Sequence, residues 1–288
     1  MQNVLSSLRK NAFFIFASFS TYLVGAIFAG FENGRFDFNS LILGLLLFLT
    51  ILAFQTLFSY LTTSKINPYS QVSFERGNKK SQLMILTLIL FLIYLFLIYT
   101  MLKINKLIGV NLVYISLITV LMLLTISRNG KMLFKTYGVI IEGMIVSPLM
   151  LLFGGGMQDI NPTNGHILLT LAFFFLYIAT STTLLFEQYE RDQKIRERSL
   201  LDMVGWENGI RIQNISLVLT YLVFFLFFFR NNSLSINLPV LISAIIGVFS
   251  MYLLTRMAKG MKPHWQIIKA TSFLHFFAVC YLIVYPLF

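Results

Sequence analysis

Residues 84–102 read MILTLILFLIYLFLIYTML, nineteen positions without a charge. A run of that length is what a helix needs to cross about 30 Å of hydrocarbon. Nine apolar stretches of about that length divide the chain, at 12–30, 40–61, 84–102, 109–126, 136–153, 166–186, 213–229, 238–255 and 268–287. Backbone in lipid must satisfy its own hydrogen bonds, so each is expected to be helical. None alternates apolar and polar residues as a membrane barrel strand does. The expected fold is all-α: a polytopic membrane protein of nine transmembrane helices, one integral domain over 1–288. A composition that is 57% hydrophobic, with mean hydropathy +0.80, agrees.

Lys and Arg set the expected orientation. With nine spans, eighteen of the 22 basic residues fall on the side of the N-terminus. The other side holds Arg35, Lys103, Lys106 and Arg230. The N-terminus is therefore expected in the cytoplasm, the C-terminus outside, and the chain in the cell membrane. This bias, with attraction to anionic lipid, accounts for the net charge of +11 without a nucleic-acid partner. The first apolar run lacks a small-residue cleavage site and is expected to stay as a helix. One cysteine, Cys280, cannot form an intrachain disulfide, and the three histidines have no metal-ligand spacing. No phosphate-binding glycine loop is present.

Polar residues concentrate in two cytoplasmic loops, 61–82 and 187–212. Each follows the second span of a four-helix block, which suggests two pseudo-repeats, about 12–126 and 136–255, and a final helix, 268–287. The outer connections, including GGGMQDINPTNG at 154–165, read as turns. One carboxylate, Glu142 in YGVIIEG, lies inside a span, where an ionisable group is costly and is expected to face the bundle interior. It is either a substrate contact or a group bonded to Tyr137, Lys135 or a neighbouring helix. Of the eleven carboxylates, six lie between Glu187 and Glu207. In FEQYERDQKIRERS, Glu187–Arg191, Glu190–Lys194 and Asp192–Arg196 are spaced i,i+4 with the acid first, as on an exposed helix face. The same residues have the chemistry to hold Mg²⁺ and a diphosphate.

Four segments, in order, resemble the UbiA superfamily of membrane prenyltransferases, most closely its MenA-like branch, which prenylates dihydroxynaphthoate. STYLVGAIFAGFENGRFDFNSLILGLLLFLTILAFQTLFSYLTTSK (20–65) is similar to the region leading to the first Asp-rich motif, N-x-x-N-D-Y-x-D. YGVIIEG (137–143) resembles Y-x-G-x-G-E, with Glu142 on the acid. TLLFEQYERDQKIRERSLLDMVGWENGIRI (183–212) resembles the second Asp-rich loop, and GMKPHWQIIKATSFLHFFAVCYLIVY (260–285) the last helix.

The resemblance implies a nine-helix bundle whose Asp-rich loops bind Mg²⁺ and the diphosphate of an isoprenoid donor. Loss of diphosphate gives an allylic cation that alkylates an aromatic acceptor. Carried over, Glu187, Glu190 and Asp192 become metal ligands. Lys65, Arg191 and Lys194 become diphosphate contacts, with Gln55, Ser59, Tyr60 and Tyr137 also lining the substrate site. Glu142 orients the acceptor, and Asp192, Glu187 and Glu142 are the catalytic acids. This chain departs from the pattern in its first motif, where the ligand places fall on Gln55, Phe58, Ser59 and Thr62. No carboxylate stands between Asp37 and Glu75. Two functions therefore stay open. One is a divergent prenyltransferase acting on an aromatic or quinone-precursor acceptor. The other is an inactive relative of the same fold that binds an isoprenoid, a quinone lipid or a membrane partner. Transport is disfavoured, because a single carboxylate within the spans gives no coupling-ion path.

Overall fold

A computed structural model describes residues 12–63, 74–107, 109–124, 137–159, 161–195, 200–230 and 239–287. Among these, regular structure is helical throughout. The helices are α1 (Ala12–Asn33), α2 (Phe38–Thr63), α3 (Phe74–Lys103), α4 (Val110–Leu124), α5 (Tyr137–Met157) and α6 (Asn164–Ile195). They continue with α7 (Leu200–Val204), α8 (Trp206–Arg230), α9 (Pro239–Ala258) and α10 (Trp265–Val284). The described residues of the nine apolar runs are almost all helical. Eight helices of the described residues are long and apolar enough to cross a membrane, and the chain is a multi-pass membrane protein. The ninth, α4, has fifteen residues, about 22 Å of helix, which is shorter than a usual span.

Contacts group the helices into two units: α2, α3 and α4 in one, and α1 with α5–α10 in the other. In the first unit α3 packs through a narrow seam. Thr87, Tyr94 and Met101, seven residues apart, are buried, and the Tyr94 hydroxyl is hydrogen-bonded to Thr119 of α4. On α2, Leu47, Phe48, Ile51 and Leu52 are buried, and Phe54 meets Phe91 of α3 with centroids 5.5 Å apart. Asp37 caps α2: its carboxylate accepts from the Ser40 amide (3.1 Å) and hydroxyl (2.6 Å), and Lys106 Nζ lies 3.3 Å away.

The second unit is centred on α6, which packs along α8 and also meets α5 and α10. Its core includes a cluster of rings. Phe13 lies edge-on to Phe276 at 5.4 Å, and Phe173 meets Phe276 at 6.0 Å and Phe224 at 6.2 Å. α1 and α5 cross almost backbone to backbone. A Cβ on Gly25 would lie 2.0 Å from the Leu151 carbonyl oxygen, and one on Gly154 would lie 2.3 Å from that of Tyr22. Such small-residue crossings hold membrane helices together where lipid removes the hydrophobic drive. GGGMQDINPTNG is therefore not all turn: Gly154–Gly156 form the last turn of α5 and are buried. The sequence reads as a loop because glycine is a helix breaker in water. Here its missing side chain is what admits α1.

Candidate functional site

Within α5 the backbone widens into a π-helical turn at Ile145–Leu149, around Pro148. Proline has no N–H, and a wide turn frees carbonyls for other donors. Two hydroxyls serve this region: Thr21 of α1 donates to the Val146 carbonyl at 2.5 Å, and Ser147 donates to the Thr170 carbonyl of α6.

Glu142 sits one turn before this widening and is half-buried. The Tyr177 hydroxyl of α6 donates to its Oε2 at 2.8 Å. Of the partners open from sequence, the neighbouring helix supplies the bond. Tyr137 is exposed, and Lys135 lies outside the described residues. Tyr177 is fully buried and stacks on Phe13, centroids 5.3 Å apart at 16°. Gly143 lets the rings close in, since a Cβ there would stand 3.3 Å from the Tyr177 ring. The arrangement fixes one oxygen of the Glu142 carboxyl with a hydrogen bond from a buried donor. A carboxylate so held can orient a ligand hydroxyl or accept its proton. Tyr177 was not legible: it is one tyrosine in an apolar run, 35 positions from Glu142.

The acid-rich stretch begins on helix. α6 continues past the span Asn164–Glu187 to Ile195, so Glu190, Arg191, Asp192 and Lys194 are carried on the same helix as Glu187. Their side chains, and Arg196–Ser199 entirely, lie outside the described residues. Glu187 is half-buried, and its Oε2 forms an ion pair with Nζ of Lys269 in α10. Lys269 is the residue that the sequence analysis missed. The available signal was its position, one residue inside the span read from 268, where a lone ammonium needs a partner.

Of the first-motif places, Gln55 is half-buried on α2 and Phe58 is exposed. Ser59 and Tyr60 are on α2, but their side chains lie outside the described residues, as does all of Lys65. Of the three carboxylates that the resemblance assigns to Mg²⁺, Glu190 and Asp192 have side chains outside the described residues. None of the described residues form a group of three or more His, Cys, Asp or Glu able to hold a metal, and the Glu187 carboxylate is already met by an ammonium. Mg²⁺ takes near-octahedral oxygen ligands. His166 and His275 are engaged elsewhere, with Thr163 at 2.9 Å and Tyr221 at 2.5 Å.

No family model and no curated protein matches the sequence. The structure does have a match. A solved structure of digeranylgeranylglyceryl phosphate synthase in membranes superposes with TM-score 0.71 at 16% identity, over 99% of this chain and 96% of that one. The two chains share one fold. At this identity the likeness establishes fold, and chemistry has to be argued from residues.

Proposed function

We propose that the chain is a divergent membrane prenyltransferase that moves an isoprenoid chain from its diphosphate to an aromatic or quinone-precursor acceptor. The observation that carries this is the likeness of fold to a prenyltransferase over almost the whole of both chains. The order of the sequence motifs supports the finer, MenA-like reading and a cytoplasmic-membrane site with the acid-rich segment on the inner face. In this reading the allylic C–O bond breaks and diphosphate departs with the electron pair. A ring carbon of the acceptor attacks the cation, and the ring then loses a proton. Glu142, steadied by Tyr177, orients the acceptor hydroxyl. Lys65, Arg191 and Lys194 meet the departing negative charge. The resemblance gives Glu190 and Asp192 to Mg²⁺, and Gln55, Ser59, Tyr60 and Tyr137 to substrate contacts.

A second reading, an inactive relative that binds an isoprenoid or quinone lipid, is favoured by the loss of every carboxylate from the first motif. One experiment separates the two. Purified protein in detergent is incubated with radiolabelled geranylgeranyl diphosphate and a panel of dihydroxynaphthoate-like and other phenolic acceptors. Prenylated product that Asp192→Ala and Glu142→Gln each reduce by about a hundredfold supports the transferase. Bound isoprenoid with no product from any acceptor leaves the binding protein.

A further inference from the structure

The ion pair of Glu187 and Lys269 stands on a well-packed floor. Phe186 meets the Trp206 ring edge-on at 4.6 Å, and Tyr189 approaches it at 5.8 Å. Ile268 and Trp265, from the first turn of α10, join the same cluster with Leu201 of α7. A Cβ on Gly209 would stand 2.3 Å from Leu201 Cδ2, so α8 lies close on α7 at this point. The cluster thus joins the end of the α6 span, α7, the start of α8 and the start of α10. Both charged groups above it stay partly open, with side-chain exposures of 34% for Glu187 and 42% for Lys269.

An ammonium bonded to Glu187 and a divalent cation on the same carboxylate would repel each other and compete for the same lone pairs. The ammonium has three donors, and its ion pair with Glu187 engages one carboxylate oxygen. Lysine is a point-charge binder of phosphate. We propose that Lys269 is a direct contact for the donor diphosphate and that Glu187 is its positioning residue, so that the anion is held by resident ammonium charge in place of Mg²⁺. This rests on the prenyltransferase reading and names the group that the missing first-motif acids would otherwise have supplied through metal.

The test is equilibrium binding to the purified full chain in detergent, with geranylgeranyl diphosphate and geranylgeraniol as the two probes, in EDTA or in excess Mg²⁺. Wild type is expected to prefer the diphosphate, with the same Kd in both buffers within about twofold. Lys269→Gln should weaken the diphosphate by about tenfold or more and leave the alcohol unchanged, while Lys269→Arg retains binding. Glu187→Gln should weaken the diphosphate by about threefold in either buffer, because the ammonium loses the partner that holds it in place.

Diphosphate binding that requires Mg²⁺ and is abolished in Glu187→Gln would make Glu187 a metal ligand. That result overturns the inference and leaves the transferase reading standing. A Lys269→Gln protein that keeps the wild-type preference for diphosphate also overturns the inference. Equal affinity for the two probes in both buffers removes the transferase reading itself. Should Lys269→Gln fail to fold, the wild-type comparison between EDTA and Mg²⁺ still decides.

Discussion

α3 and α5 are both long enough to cross a membrane, and they are built on opposite plans. α3 is the more apolar, yet only 11% of its span is buried in the protein, against 67% for α5. The buried helix carries Glu142, Gly143, Ser147, Pro148 and Gly154–Gly156. The exposed one carries Leu, Ile, Phe and Tyr around most of its circumference, with Ile85, Leu88, Leu92 and Phe96 all open. In water this would be inverted. In lipid, apolar side chains gain little by leaving a solvent of the same character, so they are used on the outside. The interior goes to residues that permit close approach or form specific hydrogen bonds. Greater hydropathy in this chain therefore marks the helix that holds less of the candidate chemistry.

The comparison is broken most easily at the α1–α5 crossing. Gly25→Ala and Gly154→Ala each place a methyl group against a backbone carbonyl that belongs to another helix. The cost is expected to be about 3 kcal/mol, at the upper end for overpacking. Leu92→Ala and Phe96→Ala on α3 remove far more volume and are expected to change stability by about 0.5 kcal/mol or less, because lipid or detergent fills the space. Thermal unfolding of the four variants in one detergent is the measurement. Equal losses on the two helices would show that hydrophobic packing, and not close approach, holds this protein.

The next largest effect belongs to the buried carboxylate. Tyr177→Phe removes the donor to Glu142 and should cost about 2 kcal/mol, the penalty for leaving a buried acceptor without its hydrogen bond. Glu142→Gln in the same background should recover part of that loss, since the charge has gone with the donor. A strictly additive double variant would mean that the two groups do not depend on each other. Thr21→Val follows, at about 1 kcal/mol, through its bond to the Val146 carbonyl at the widened turn. If it matched the α3 variants instead, the turn would be held by Pro148 and packing without this hydroxyl.

The same inversion explains what could be read from sequence. Span positions were legible because hydropathy reports contact with lipid directly, and eight of the nine apolar runs lie on helices long enough to cross a membrane among the described residues. Glu142 was legible because a charge at membrane depth is conspicuous, and the helical course of 187–195 followed from its i,i+4 acid–base spacing. The partners were not. Tyr177 and Lys269 are joined to Glu142 and Glu187 across helix pairs, and their separation along the chain carries no period. Gly154–Gly156 were misleading for a physical reason: the triplet ends a water-soluble helix but favours a membrane crossing. A charged cluster can belong to a salt-bridged face or to a ligand, and composition gives both the same letters.

The smallest effect sharpens the contrast from the other side, because α2 and α3 belong to a unit that carries an ion pair at a helix end. Asp37 is held below the usual carboxylate range, chiefly by the Ser40 hydroxyl, with the Ser40 amide and Lys106 adding to it. A depressed carboxyl contributes stability that is fully present above its unfolded value, about pH 4, and is lost as pH falls through the lower folded value. The side chain is 42% exposed, so screening limits the contribution to about 0.5 kcal/mol. Asp37→Asn should therefore melt slightly below wild type at pH 7, and the gap should close as the pH is lowered past 4 and shrink in high salt. Melting curves at four pH values and two salt concentrations test this. A gap that persisted at pH 3 would assign Asp37 a role through shape or hydrogen bonding alone. In that case the ends of this unit, like the interior of the other, would be specified by geometry and not by charge.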